Sequence, residues 1–145
     1  MGVVIRIGVI GIGLVGKALL SQLGHSKFKD KLQLVAVATS TKMLLDNNKP
    51  ALEFLAINSN EKFAALDLDA FATFVSGSNP SNSIIVDCTA SENVSKMYPQ
   101  WLKEGINVVT PNKKGFSSDY SLFEKVLIDK LFSFSFFFFF LKKNL

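Results

Sequence analysis

The chain has 145 residues, 48% of them hydrophobic and 19% charged, which suits one domain with a buried core and excludes general disorder. Its formal net charge is +4, but the lysines are scattered and form no arginine-rich or aromatic-interleaved stripe, so nucleic acid is disfavoured and a small anionic ligand suits the balance better. A single cysteine, Cys88, rules out an intramolecular disulfide and any multi-cysteine metal site, and neither it nor the single histidine, His25, supports metal chemistry.

From Met1 the chain enters an apolar stretch within a few residues, with no charged leader or cleavage site ahead of it. A cytoplasmic protein is expected, with a plastid form left open. Residues 3–10, "VVIRIGVI", are β-branched and apolar apart from Arg6. They predict a strand buried on both faces. "GIGLVGKALLSQL" follows, with glycines at 11, 13 and 16 and a predicted helix whose apolar face carries Leu14, Ala18, Leu19 and Leu23. Residues 32–38, "LQLVAVA", predict a second strand. Strand, glycine turn, helix and strand make one βαβ unit.

The stretch 42–66 has a mixed pattern with an Asn/Lys/Pro loop at 46–50 and supports no assignment. Residues 67–75 predict a helix with Leu68, Phe71 and Val75 on one face, and 76–83, "SGSNPSNS", a surface loop. "IIVDC", 84–88, predicts a third strand. A helix is then expected from Ser91 to about Glu104, with Gly105 as its stop and Pro99 forcing a kink or a late start. Residues 106–110 predict a fourth strand, and Ser117 or Ser118 the cap of a last helix with Asp119 in its first turn. The alternation implies an α/β fold: a Rossmann-like, doubly wound parallel sheet, short of the full six strands.

The end of the chain, "LFSFSFFFFFLKKNL", breaks the pattern. Its apolar run at 131–141 is too short to cross a membrane, which takes about 20 residues. It has no strand or helix period. The expectation is a domain over 1–130 and a low-complexity tail over 131–145 that lies outside the evolved fold, as a frameshift or translated non-coding sequence would.

"GIGLVG" fits G-x-G-x-x-G with a strand before it and a helix after it. Gly11 permits the tight turn, Gly13 lets a diphosphate approach the backbone, and Gly16 allows close helix packing. Residues Gly11, Ile12, Gly13, Leu14, Val15 and Gly16 are therefore the expected cradle for a nicotinamide dinucleotide, whose phosphates would meet the helix N-terminus. The second strand ends in Ala38-Thr39-Ser40-Thr41-Lys42, without the carboxylate that would hold the 2′-hydroxyl of NAD. Thr39 and Ser40 thus favour NADP, with NAD left open. Thr89 and Ser91, at the end of the third strand, either bond the ribose or nicotinamide side or cap the next helix.

Taken together, "VIGIGLVGKALLSQL", "IIVDCTAS" and above all "GINVVTPNKKGFSSD" resemble the N-terminal domain of homoserine dehydrogenase, over about residues 3–128. The resemblance implies NAD(P)H-dependent reduction of aspartate 4-semialdehyde to L-homoserine in threonine and methionine biosynthesis. It implies that Lys113 is catalytic and reaches the reaction site beside the nicotinamide. There an ammonium can meet the oxygen that gains charge in hydride transfer. The family is homodimeric and continues into a substrate and dimerisation domain, for which no part of this sequence has a match. Aspartate 4-semialdehyde or homoserine would bind only if such a domain were supplied, so the chain alone is expected to be inactive or nearly so. The alternative from another class is a non-catalytic NADP-binding or regulatory module that associates with full-length subunits.

Overall fold

A computed structural model describes residues 2–25, 27, 30–55 and 63–114. The predicted cap at Ser117 or Ser118 and the Phe-rich tail lie outside the described residues. Among the described residues, six strands form one sheet. In chain order they are β1 (Ile5–Ile10), β2 (Leu32–Ala38), β3 (Lys42–Leu45), β4 (Ala64–Ala65), β5 (Ser83–Asp87) and β6 (Asn107–Val109), and their spatial order is β4-β3-β2-β1-β5-β6.

Strands β2, β1, β5 and β6 are parallel. The wholly parallel sheet expected from the sequence is corrected at one edge. There β3 pairs antiparallel with β2, and β4 antiparallel with β3. These two strands have four and two residues, too few to display a period of two, which is why 42–66 carried no pattern. Among the described residues the sheet is α/β and Rossmann-like with a mixed edge, and only four of its six strands are parallel, so the doubly wound parallel arrangement is incomplete, as expected.

Two apolar layers flank the sheet. On one face Ile7, Val9, Leu34, Val37 and Leu44 pack with Leu20 of α1 (Leu14–His25) and Phe54 of α2 (Ala51–Leu55). On the other, Ile10, Val35, Ile85 and Val108 pack with Phe71, Ala72 and Val75 of α3 (Leu68–Ser76) and with Val94, Tyr98 and Trp101. Register shifts between Ile7 and Gly8, so that Val35 of β2 is an extra residue against β1. Val35 and Ala36 both belong to the α3 layer, and the alternation resumes at Val37.

Helix α1 is turned relative to the expected face. Leu14 is 90% exposed and Ala18 is exposed, whereas Gly16 and Leu20 are buried. The core-facing stripe is the buried Gly16 and Leu20 with the half-buried Leu19 and Leu23, an i, i+3, i+4, i+7 series. Steric demand at Gly16 sets that phase. A Cβ there would lie 1.9 Å from the Gly11 carbonyl oxygen, so only a hydrogen fits between helix and turn.

Helix α3 lies directly on β1 because Gly8 has no side chain: a Cβ would come within 2.5 Å of Val75 Cγ2. Asp67 caps its start, accepting from Ala70 N at 2.9 Å. Arg6 closes its end, donating to the Phe74 and Val75 carbonyls at 2.7 and 2.9 Å. The expected helix from Ser91 to Glu104 is two pieces, α4 (Glu92–Ser95) and α5 (Tyr98–Lys103). Pro99 lacks the N–H that would bond the Ser95 carbonyl, so it restarts the helix. Among the described residues no helix is long and apolar enough to cross a membrane.

Candidate functional site

The parallel strands deliver three loops to one edge of the sheet, at their carboxyl ends. The chain runs to β2 on one side of β1 and to β5 on the other, so the crevice between those loops is the topological switch point of the sheet. A cleft of about 660 Å³ opens there. Its walls are Ile10–Gly13 from the end of β1, Thr39 and Ser40 after β2, Leu66 ahead of α3 and Leu68 at its first position, and Thr89–Ser91, Asn93 and Val94 after β5.

The glycine turn has three distinct local reasons. Gly11 sits at φ +90°, and a Cβ there would also meet Thr89 Cγ2 at 2.7 Å. Gly16 admits the Gly11 carbonyl. Gly13 differs: a Cβ would meet nothing within 4 Å. No packing among the described residues demands a glycine at 13, and the space above it belongs to the cleft. The first-turn N–H groups of α1, which cannot find partners within the helix, begin at this point.

Of the residues singled out from the sequence, the cleft unites Gly11, Ile12, Gly13, Thr39, Ser40, Thr89 and Ser91. Leu14, Val15, Gly16 and Lys113 are not among its walls. Leu14 and Val15 are exposed on the first turn of α1, and Gly16 is buried under it. Asn93, Leu66 and Leu68 were not anticipated. Asn93 could have been, as a polar residue in the first turn of a helix at the ligand edge. Leu66 had no local signal, because the short β4 return places it.

Thr39 Oγ1 accepts from Lys42 N at 3.1 Å, closing the turn after β2. At the end of β5 the loop is built by side chains. Asp87 Oδ1 accepts from Thr89 N (2.8 Å), Thr89 Oγ1 from Ser91 N (3.0 Å), and Ser91 Oγ from Val94 N (3.4 Å). Ser91 is therefore the N-cap of α4 as well as a wall of the cleft. After β6, "TPNKK" repeats the device: Thr110 Oγ1 accepts from Asn112 N at 2.8 Å, and Asn112 Oδ1 from Lys114 N at 3.1 Å.

The two loops are joined through Asp87, which is fully buried. Its Oδ2 accepts from the Tyr98 hydroxyl (2.5 Å) and from Asn112 Nδ2 (3.0 Å). Asn112 also donates to the Ser91 carbonyl at 2.9 Å, and Thr110 Oγ1 donates to the Asp87 carbonyl at 2.9 Å. Burial pushes the Tyr98 phenol well above its ordinary value, and the bond to Asp87 adds to the shift. Burial, and then the charge of Asp87, also push the Cys88 thiol up, which suits a structural thiol. Lys113 and Lys114 follow this anchor directly, both exposed. The sequence held one signal for the cluster: a carboxylate, Asp87, inside an otherwise apolar strand.

The homoserine dehydrogenase NAD-binding domain model matches residues 11–130. Homoserine dehydrogenase of Emericella nidulans is 40% identical over 135 residues, covering 87% of this chain and 36% of the fungal protein. The chloroplastic bifunctional aspartokinase/homoserine dehydrogenase 2 of Arabidopsis thaliana is 38% identical over 120 residues, 78% of this chain and 13% of the plant protein. A hyperthermophilic archaeal homoserine dehydrogenase, solved in complex with NADPH, shares the fold at a TM-score of 0.63 with 22% identity, over 87% of this chain and 41% of its own. The chain thus spans about a third of the fungal relative. With the glycine turn, the switch-point cleft and this match in agreement, the chain belongs to the homoserine dehydrogenase family through its NAD-binding domain.

Proposed function

We propose that the cleft binds a nicotinamide dinucleotide, with NADP(H) preferred over NAD(H), as the cofactor half of a homoserine dehydrogenase. The observation that carries this reading is the open space over Gly13, a glycine that no packing among the described residues requires, facing the cleft at the start of α1. A diphosphate there would approach the turn backbone and meet the helix N-terminus. The adenosine half would lie over Thr39 and Ser40, where no carboxylate repels a 2′-phosphate. The nicotinamide half would lie over Thr89 and Ser91. The archaeal relative's complex with NADPH supports NADP(H) as a ligand of this fold.

In the full reaction, aspartate 4-semialdehyde and homoserine would be the substrates, and the ammonium of Lys113 would meet the oxygen that gains charge as hydride is delivered. That step needs the second reactant held in a fixed geometry. We assign that task, and homodimer formation, to a substrate domain beyond this unit. Residues 1–130 are taken as the nucleotide-binding unit, supported by the extent of the family match, and 131–145 as lying outside it.

Calorimetric titration of the 145-residue chain with NADPH and NADH tests the proposal. Saturable binding of both, tighter for NADPH, is expected. No uptake of either by folded protein would overturn the reading. A homoserine-dependent reduction of NADP by the chain alone would overturn the division of labour between the two domains.

A further inference from the structure

Asp87 ends β5 at the position that Ile10 occupies in β1 and Ala38 in β2, since Ile10 pairs with both Asp87 and Ala38. The two neighbouring strands end in apolar residues that are as fully buried. A carboxylate at the third such position is costly unless its hydrogen bonds are met. It is met by a set of donors that do more than close a strand. Tyr98 comes from α5, Thr89 N from the cleft wall, and Asn112 from the loop after β6.

Asn112 is 4% exposed and uses three of its side-chain bonds. Two tie it to the β5 loop, at Asp87 and at the Ser91 carbonyl. The third holds Lys114 N, so the chain turns at Lys113 between two fixed points. All of this lies on the β5–β6 side of the crevice. On the proposed cofactor assignment the adenosine side is at the end of β2, where Thr39 and Ser40 line the cleft.

We propose that Asp87, Tyr98 and Asn112 are positioning residues that hold the Lys113 turn against the nicotinamide half of the cleft and leave the adenosine half independent of them. The proposal rests on the assignment of the cleft to a nicotinamide dinucleotide. Removing Asn112 frees the turn from the Ser91 wall. Removing the Tyr98 hydroxyl takes one of the donors that orient the Asp87 carboxylate.

The test is a pair of titrations on the 145-residue chain and two variants, Asn112→Ala and Tyr98→Phe. One ligand is NADPH, followed also by the change in its nicotinamide fluorescence on binding. The other is 2′,5′-ADP, which carries only the adenosine end. Asn112→Ala is expected to weaken NADPH by about tenfold, the scale of one lost hydrogen bond to a charged network, and to reduce the fluorescence change. Affinity for 2′,5′-ADP should stay within about twofold, below the effect of one such bond. Tyr98→Phe should shift both readouts in the same direction by less, and because it keeps the ring volume it decides the matter if Asn112→Ala does not fold. Equal weakening of both ligands would mean a purely structural cluster and overturns the proposal, as does unchanged NADPH binding and fluorescence in both variants. Failure of the unsubstituted chain to bind either ligand would overturn the cleft assignment itself, and this inference with it.

Discussion

Asn112 Nδ2 lies 3.0 Å from Asp87 Oδ2 although 25 residues separate them, and both side chains are buried. This bond joins the loop after β5, which walls the cleft, to the loop that carries the paired lysines. Those lysines stand where they do because Thr110 and Asn112 turn the chain through their own side chains. Buried polar groups linked in this way stabilise when every partner is present and cost most when one is removed.

Removing the acceptor at the centre is therefore expected to be severe. Asp87→Ala leaves the Thr89 N–H and one hydrogen of the Asn112 amide without an acceptor, while the Tyr98 hydroxyl keeps only Thr110 Oγ1, at 3.1 Å. Each stranded donor costs about 1–3 kcal/mol, so urea unfolding should show a stability loss of roughly 2–6 kcal/mol. A loss within about 0.5 kcal/mol, typical of surface positions, would show that these bonds contribute nothing to the fold.

Gly13 and Gly16 separate binding from folding. Gly13→Ala adds a methyl group to open space, so stability should change by no more than about 0.5 kcal/mol while nucleotide affinity falls by tenfold or more, roughly the 1.4 kcal/mol that one displaced phosphate contact represents. Gly16→Ala puts its Cβ 1.9 Å from a backbone oxygen, and the turn must shift, at a cost of about 1–3 kcal/mol or more. Thermal unfolding and NADPH titration of the two variants check both halves. A Gly13→Ala protein that binds as before would contradict the phosphate assignment.

Gly8→Ala should destabilise without touching the cleft. Its methyl group would meet Val75 Cγ2 at 2.5 Å and Phe71 Cε1 at 2.8 Å, forcing α3 away from β1 at about 1–3 kcal/mol. The urea midpoint reads this. An unchanged midpoint would mean that α3 can slide on the sheet at no cost.

Tyr98 gives a pH signature. Its phenol is raised above the ordinary value of 10.0 mainly by burial, with Asp87 adding to the shift. In the unfolded chain it ionises at that ordinary value, whereas in the folded chain it keeps its proton. The associated stability is present in full below about pH 10 and is lost as pH rises from there towards the raised folded value. Of the chain's two tyrosines, Tyr98 should show no phenolate absorbance near pH 10 until the protein unfolds. In a Tyr98→Phe variant the loss of stability with rising alkaline pH should be correspondingly shallower.

Cys88 should be a slow thiol. Burial and the neighbouring Asp87 both disfavour its thiolate. Its alkylation by iodoacetamide at pH 8 is expected to lag well behind that of free cysteine and to recover in urea. Reaction at the free-thiol rate in the folded protein would refute the close packing at the end of β5.

The sequence by itself determined the elements whose signals are contiguous. These are the β-branched runs of β1, β2 and β5, the glycine turn between strand and helix, the α3 face of Phe71 and Val75, and the break at Pro99. Each is set by neighbours within a few residues, so a window of the chain contains the cause. The tertiary structure decided the rest. The antiparallel edge depends on strands too short to carry a period, and the phase of α1 depends on the Gly11 carbonyl pressing against Gly16 rather than on how many leucines line a face. The cluster of Asp87, Tyr98 and Asn112 is decided at longer range still. Those bonds form only after β5 and β6 pair and bring two loops together, and no local pattern records a partner that is distant in the chain.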